Sequence, residues 1–207
     1  MNMADSVETL AVQTCWSCRG PVAARDPFCA TCGAVQPPAS LDAFARLGMP
    51  RAYDIDEAGL QRRYFDLQRR LHPDRFGAKS SRERALSQQQ AAALNQAYET
   101  LKDPLDRAAE LLRLAGRAVR FAGQGTVDDP ELLMEAMEMR EALAAAATAE
   151  EAANVHARAE ADVAAARADL ASAFASSDLD QVERAALRLR YLDKLAEEAR
   201  QRRRALG

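Results

Sequence analysis

The pattern of apolar and polar positions predicts a helix that begins after Asp56 and ends at Leu71. At about 100° per residue, its apolar side chains share one narrow arc, whose members are Leu60, Tyr64, Leu67 and Leu71. The opposite side carries Asp66 and four arginines, namely Arg62, Arg63, Arg69 and Arg70. The apolar arc is therefore expected to face a core. The arginine side has two open interpretations, a solvated face or a surface for bidentate contacts with carboxylates.

A proline marks the end of this helix. Pro73 disfavours the α conformation at His72, so the helix stops there and a stiff loop begins. A second helix begins at the capping box Ser80-x-x-Glu83 and ends at Asp103. Its predicted core positions are Leu86, Leu94, Ala97, Tyr98 and Leu101. These signals predict an antiparallel helix hairpin with the Pro73 loop exposed at its tip.

The tip sequence His72-Pro73-Asp74, here called the HPD tip, has three conceivable roles. A catalytic acid–base pair is disfavoured, because no nucleophile or group of oxyanion donors is evident nearby and a loop tip does not exclude water. Proline and aspartate are also ordinary turn residues. A rigid tip with an anionic hydrogen-bond acceptor equally suits a contact with a partner protein. From the residues alone, turn chemistry and partner contact both stay open.

Three further helices have clear start signals in the C-terminal part. The signals are Asp129 followed by Pro130, the capping box Thr148-x-x-Glu151, and the pair Asp178-x-x-Gln181. Three amphipathic helices of this length predict an antiparallel bundle.

The first of these helices carries more apolar surface than a single contact needs. One stripe consists of Leu132, Ala136, Met139 and Leu143. A second, here called the methionine stripe, consists of Leu133, Met134 and Met137 and lies beside Glu138 and Glu141. Tyr191 likewise lies outside the core arc of the last helix. The surplus surface either packs on another part of the chain or binds a partner, a role for which flexible methionines are well suited.

All four cysteines lie near the N-terminus in two pairs, each with a two-residue gap. They are Cys15, Cys18, Cys29 and Cys32. Such spacing lets two turns supply four thiolates to one tetrahedral ion, which predicts a structural Zn²⁺ site. Gly20 and Gly33 follow the two pairs, where such turns often need a positive φ. Because this segment has few apolar residues, bound metal would supply its folding energy.

Two disulfides, a redox dithiol or an iron site are the alternatives to zinc. A reducing cytosol disfavours stable disulfides, and no βαβ pattern surrounds either pair to suggest a thioredoxin-like site. Iron is the main remaining alternative. We expect Trp16 and Phe28 to form a small apolar core, and residues 36–40 (QPPAS) to form a short, stiff linker. Residues 1–40 are called the tetracysteine module below.

Composition and charge limit the classes of partner that the protein is expected to bind. The chain has 207 residues, of which 48% are hydrophobic and 29% charged, and its net charge is −3. This charge argues against bulk attraction to nucleic acid. Residues 41–122 nevertheless carry +4 and residues 123–207 carry −6, which indicates two different partners. No apolar run has signal-peptide or membrane-spanning length, so we expect a cytoplasmic protein with no membrane partner.

The helix hairpin resembles a J-domain, the module that stimulates ATP hydrolysis by DnaK-type chaperones. The resemblance rests on the basic helix, the HPD tip and the following ALNQAYETLKDP, and it covers residues 41–115. The continuation LDRAAELLRLAG is similar to the HscB class, the dedicated co-chaperones of iron–sulfur cluster assembly. Segments of that class similar to LLMEAMEMREAL and LRLRYLDKL bind the iron–sulfur scaffold IscU.

The resemblance implies a role for each candidate residue. The chaperone-binding set would be His72, Pro73, Asp74, Arg62, Arg63, Arg69 and Arg70. The scaffold-binding set would be Leu133, Met134, Met137, Glu138, Glu141 and Tyr191. Tyr191 departs from the phenylalanine often found in the class. The tetracysteine module is similar to that of the mitochondrial homologue and is absent from the shortest bacterial relatives.

The resulting hypothesis is a non-enzymatic adaptor with a mainly α fold. The tetracysteine zinc module and linker occupy residues 1–40, the J-domain residues 41–122 and the C-terminal three-helix bundle residues 123–207. The resemblance also implies an L-shaped arrangement. The J-domain would recruit a DnaK/HscA-type ATPase, and the bundle would hold an IscU-type scaffold.

The sequence suggests two rival functions. A general J-protein would use the bundle for a different client. A zinc-ribbon nucleic-acid binder is disfavoured, since the module supplies only two arginines.

Overall fold

The computed structural model describes residues 12–117 and 130–207. The first range forms strands β1 (Val12–Thr14) and β2 (Pro21–Ala23), then helices α1 (Ala43–Leu47), α2 (Glu57–Leu71), α3 (Ser81–Lys102) and α4 (Pro104–Leu114). The second range forms α5 (Pro130–Ala145), α6 (Ala149–Ser176) and α7 (Leu179–Leu206). The chain divides into two compact units between Glu110 and Leu111. The predicted mainly helical fold, with a tetracysteine segment and a helical C-terminal part, is confirmed.

The tetracysteine module is a small β hairpin with a cysteine turn on either side of β2. β1 pairs antiparallel with β2, and Val12 lies opposite Ala23. Its buried apolar side chains include Cys15, Val22, Cys29 and Val35. Trp16 and Phe28 are only half-buried, so the prediction that they form the core was wrong. Gln36 is 1% exposed. It is therefore part of the folded module and does not begin a linker.

The α2–α3 hairpin forms as its capping signals predict. The side chain of Asp56 accepts a hydrogen bond from a backbone N–H in the first turn of α2. Ser80 and Glu83 form both halves of a capping box at the start of α3. The buried side chains between the helices include Leu60, Leu71, Leu86, Leu94, Ala97 and Leu101. Tyr64 and Tyr98 are half-buried and stack with ring centroids 4.0 Å apart.

Two helices, α1 and α4, were not predicted from the sequence. α1 begins at Asp42, whose carboxylate accepts from a first-turn N–H at 2.9 Å, and it buries Phe44 and Leu47. α4 begins at Pro104, directly after the predicted end of α3. Asp103 caps α4 by accepting two backbone N–H groups, at 2.8 and 2.9 Å. One acidic residue thus separates two helices.

In the second unit, α6 packs along α7, and α5 contacts both helices. Every seventh residue along much of α6 is a buried alanine, in the series Ala152, Ala159, Ala166 and Ala173. Small side chains at this spacing allow close approach of the neighbouring helix. The capping box of Thr148 and Glu151 and the Asp178 cap are present as predicted. Asp129, the predicted cap of α5, lies outside the described residues.

Among the residues that the structure describes, no helix combines the length and the apolar character needed to cross a membrane.

Candidate metal centre and partner-binding surfaces

The four cysteine sulfurs converge on one point of the tetracysteine module. Their Sγ atoms all lie within 4.8 Å of one another. The Sγ atoms of Cys15 and Cys32 are 3.7 Å apart, and those of Cys18 and Cys29 are also 3.7 Å apart. A tetrahedral ion with Zn–S bonds of about 2.3 Å requires S···S edges of about 3.8 Å. The cysteines are therefore free thiols in positions that can bind one metal ion.

The two cysteine turns have matching backbone conformations. The residue directly after each pair adopts a positive φ, 63° at Arg19 and 72° at Gly33. A positive φ was predicted at Gly20 as well, and that prediction was wrong, because Arg19 takes the left-handed position in the first turn. Burial disfavours the Cys15 thiolate, yet backbone N–H groups lower the pKa of Cys15 to about 6. At Cys18 a backbone N–H group favours the thiolate, but the neighbouring cysteine sulfurs raise the pKa of Cys18 to about 12. The four thiols therefore do not lose their protons independently.

The HPD tip is exposed, as predicted. The side chains of His72 and Asp74 are 52% and 89% exposed, and the imidazole Nδ1 lies 3.6 Å from the carboxylate Oδ2. Nδ1 also accepts a hydrogen bond from the backbone N–H of Asp74 at 3.3 Å. Residues Pro73–Phe76 form a 3₁₀ helix, and the buried Phe76 anchors it. Ser87 donates to the Leu71 carbonyl at 2.7 Å, a contact that no sequence motif indicates.

The four candidate arginines of α2 are divided between two local environments. Arg62 pairs with Asp56 at 3.2 Å, and Arg69 pairs with Asp66. Both pairs are exposed, which leaves these guanidiniums accessible to a partner.

The other two arginines contact parts of the first unit beyond α2. Arg63 donates to the Gly48 carbonyl at the end of α1. The guanidinium of Arg70 lies over the ring of Phe28, 4.9 Å from its centroid. The four arginines predicted to form one face are therefore divided into two sets. Arg62 and Arg69 are accessible to a partner, whereas Arg63 and Arg70 are held by contacts within the first unit.

An exposed aromatic residue lies between the accessible arginines. Phe65 is 46% exposed, and its ring is tilted against Tyr64 at 5.3 Å between centroids. Phe65 is not among the residues predicted from the sequence to bind a partner. Its position on the helical wheel, outside the apolar arc of α2, is the feature of the sequence that indicates an exposed aromatic residue.

The methionine stripe is exposed on α5. Leu133 is 40% exposed, and Met134 and Met137 are each 61% exposed. The intervening core stripe is buried and consists of Leu132, Ala136, Met139 and Leu143. Glu138 and Glu141 are exposed beside the methionines. The two apolar stripes inferred from the periodicity therefore lie in different environments.

Tyr191 is half-buried on α7 and contacts a residue of α5. The guanidinium of Arg140 lies 5.8 Å from the Tyr191 ring centroid. Arg140 also pairs with Glu198 at 3.0 Å. Hydrogen bonds to Glu198 and Tyr191 raise the pKa of Arg140. The tyrosine is thus joined to the helix that carries the methionine stripe.

Comparisons with known proteins agree in pointing to one family. Residues 128–200 match the family described as the HSCB C-terminal oligomerisation domain. The iron–sulfur cluster co-chaperone protein HscB homolog of Arabidopsis thaliana is 32% identical over 185 residues, which are 89% of this chain and 72% of that protein. The co-chaperone protein HscB of Proteus mirabilis is 45% identical over 103 residues, or 50% of this chain and 59% of that protein.

Solved structures give the same result. Human co-chaperone protein HscB superposes with a TM-score of 0.83 at 30% identity, covering 91% of this chain and 98% of that chain. Chaperone HscB from Vibrio cholerae has a TM-score of 0.70 at 33% identity, covering 81% of this chain and 100% of that chain. The Jac1 co-chaperone from Saccharomyces cerevisiae, at 22% identity and a TM-score of 0.60, shares the fold; the match covers 72% of this chain and 86% of that one.

Proposed function

Because the chain belongs to the HscB family of iron–sulfur cluster co-chaperones, we propose that it couples a DnaK/HscA-type ATPase chaperone to an IscU-type scaffold protein. The J-domain hairpin stimulates ATP hydrolysis by the chaperone, and the C-terminal bundle delivers the scaffold. The protein itself is not an enzyme. The cytoplasmic location inferred from the sequence stays a prediction.

The exposed HPD tip is the observation that carries this proposal. A histidine and a carboxylate 3.6 Å apart present hydrogen-bonding groups to a partner on a short, anchored 3₁₀ turn. Arg62 and Arg69 on α2 add accessible guanidiniums for carboxylates of the chaperone. Phe65 between them supplies an apolar contact of the kind found at interface centres.

The methionine stripe supports the second half of the proposal. Three exposed apolar side chains flanked by Glu138 and Glu141 form a flexible apolar patch with an acidic edge. Such a patch suits a partner with apolar anchors and basic neighbours. We assign Tyr191 to the same scaffold-binding surface through its contact with Arg140.

We further propose that the metal of the tetracysteine module is Zn²⁺ in a structural role. Four sulfurs complete a tetrahedral shell, which leaves no open position for substrate. Cys15, Cys18, Cys29 and Cys32 would be its ligands. The ion supplies folding energy when bound.

The substitution His72→Gln tests the chaperone half. It removes a titratable ring from an exposed position, so the hairpin stays folded while stimulation of the chaperone's steady-state ATPase falls to the basal rate. The matched control is His156→Gln, the same change at the chain's only other histidine, which should leave stimulation unchanged. Full stimulation by His72→Gln would contradict the assignment of the HPD tip.

The substitutions Met134→Ala and Met137→Ala test the scaffold half. Each removes an exposed side chain, so binding of apo-scaffold, measured by calorimetry, should weaken roughly tenfold per substitution. Phe65→Ala, which truncates a comparably exposed apolar residue of the first unit, is the control and should not change scaffold binding. Met139→Ala, in the buried stripe, should instead lower the free energy of unfolding by about 2–5 kcal/mol. An affinity for the scaffold that neither Met134→Ala nor Met137→Ala changes would favour a general J-protein with a different client.

A further inference from the structure

A buried glutamine connects the metal ligands to the J-domain hairpin. Gln36 Nε2 donates to Cys15 Sγ at 3.4 Å and to the Ala34 carbonyl at 2.8 Å. The backbone carbonyl of Gln36 accepts a hydrogen bond from Gln90 Nε2 on α3 at 3.0 Å. Two residues therefore join a cysteine sulfur to the middle of α3.

Gln90 is placed specifically for this contact. It is 6% exposed, whereas its neighbours Gln88 and Gln89 are exposed on the same helix. Its amide satisfies a backbone carbonyl that Gln36 would otherwise bury without a partner. A polar side chain at this depth is costly unless it is bonded, so the pair Gln36–Gln90 fixes the position of the module on α3.

Two aromatic residues beside the cysteines hold arginines at both ends of the HPD tip segment. Trp16 follows Cys15 directly, and the guanidinium of Arg82 lies 4.4 Å from its ring centroid. The ring of Trp16 is itself fixed, because Nε1 donates to the Val35 carbonyl at 2.7 Å. On the other side, Phe28 precedes Cys29, and its ring contacts the guanidinium of Arg70.

The two arginine contacts flank the tip in the sequence. Arg70 lies two residues before His72, and Arg82 lies in the first turn of α3. Arg82 and Gln90 are eight residues apart on α3, or about 12 Å at 1.5 Å per residue. These three contacts join the module to α2 through Arg70 and to α3 through Arg82 and Gln90. On the module side, Trp16 and Phe28 are each adjacent to a cysteine, and Gln36 is hydrogen-bonded to one.

We propose that the tetracysteine module is a metal-dependent brace of the α2–α3 hairpin. Gln36 and Gln90 act as positioning residues that link the ligand Cys15 to α3, while Trp16 and Phe28 fix Arg82 and Arg70. Because coupling free energies are reciprocal, bound metal tightens the hairpin, and an intact hairpin raises metal affinity by the same factor. Any consequence for chaperone stimulation rests in addition on the proposed function.

Zinc affinity of the full chain gives the first test, measured by competition with a chromophoric chelator. Gln90→Leu should weaken Zn²⁺ binding about 5–10-fold, and Gln36→Leu about 10–100-fold. The matched control Gln89→Leu makes the same chemical change one residue away on an exposed position and should leave the affinity unchanged. Equal effects of Gln89→Leu and Gln90→Leu would overturn the proposal.

Hydrogen exchange gives the reciprocal test. Chelation of Zn²⁺ from the parent chain should speed amide exchange in α2 and α3 about fivefold or more, and leave α6 and α7 unchanged as an internal reference. In Gln90→Leu, amide exchange in α2 and α3 should be faster than in the parent chain even with Zn²⁺ bound. Chelation of Zn²⁺ from this variant should increase that exchange rate only slightly. Loss of Zn²⁺ with no change in the exchange of α2 and α3 would show that the module folds independently, and would overturn the proposal without affecting the proposed chaperone function.

Trp16 is the chain's single tryptophan, so its fluorescence gives an independent measurement of the same brace. Arg82→Ala removes an exposed side chain, so it keeps the helix even if Gln90→Leu should fail to fold. We expect the Zn²⁺-dependent change in Trp16 fluorescence to be smaller in Arg82→Ala than in the parent. Lys79→Ala, which removes another exposed cation just before α3, should match the parent. Identical fluorescence in Arg82→Ala and the parent would contradict the Trp16–Arg82 contact.

Discussion

The residue directly after each cysteine pair adopts the left-handed backbone conformation in the tetracysteine module. The φ angles are 63° at Arg19 and 72° at Gly33. Only glycine adopts this conformation without a steric cost from Cβ. From the sequence, Gly20 and Gly33 are both candidates for a positive φ, because each glycine follows a cysteine pair. The sequence does not show which residue of the first turn adopts the left-handed conformation, and in the structure this residue is Arg19. Burial of Gln36 was equally hidden, since its partners Cys15 and Gln90 lie 21 and 54 residues away.

The substitutions Gly33→Ala and Gly20→Ala separate these two glycines. A Cβ at Gly33 meets nothing within 4 Å, so only the positive φ opposes it, at a cost of about 1–2 kcal/mol. At Gly20 the φ is not positive, and a Cβ would lie 3.4 Å from the nearest side-chain atoms. We therefore expect Gly33→Ala to weaken Zn²⁺ retention against a chelator roughly tenfold, and Gly20→Ala to have little effect. The reverse order would contradict the assignment of the left-handed positions.

At the scale of elements, capping chemistry was the most reliable signal in the sequence. The boxes at Ser80 and Thr148 both form completely, because each needs only residues three apart. The helices α1 and α4 were missed for a related reason. α1 has only five residues, too few to show a period. α4 begins so soon after α3 that the sequence pattern marks Pro104 only as the end of a helix. The two stripes of α5 were separable from periodicity, since neighbours on a helix point about 100° apart.

The cap of α6 leads to a pH prediction for the bundle. The Glu151 carboxylate accepts from the backbone N–H groups of Ala147 at 2.8 Å and Thr148 at 3.1 Å. These bonds lower the pKa of Glu151. Because the folded pKa is below the unfolded one, the stabilisation is complete above the unfolded pKa and is lost as pH falls through the folded value.

We therefore expect Glu151→Gln to lower the melting temperature of the bundle near neutral pH, with a difference from the parent that shrinks under acidic conditions. Thermal unfolding followed by circular dichroism over a pH series measures this difference. Glu150→Gln, at an adjacent exposed position that has no part in the cap, is the matched control. A difference that stays constant with pH would argue against an ionised cap.

At the scale of the whole molecule, the proposed function depends on two binding surfaces in one chain. The HPD tip lies in the first compact unit and the methionine stripe in the second. Joining the surfaces covalently turns capture of the second partner into an intramolecular event. The effective concentration is then roughly millimolar for short linkers. Under the proposed function, no new contact between chaperone and scaffold is therefore needed to bring them together.

Mixing two half-defective chains tests this dependence on covalent linkage. His72→Gln retains the scaffold surface, whereas the double variant Met134→Ala/Met137→Ala retains the HPD tip. If covalent linkage supplies the local concentration, an equimolar mixture of the two variants should stimulate the chaperone ATPase only to the scaffold-independent rate. The parent chain should show an additional, scaffold-dependent increase in this rate. The measurement is steady-state ATP hydrolysis with the scaffold titrated at fixed chaperone concentration, and parent diluted twofold with His72→Gln is the control. Recovery of the parent rate by the mixture would mean that the two surfaces work in separate chains, and the adaptor would then act by something other than its own connectivity.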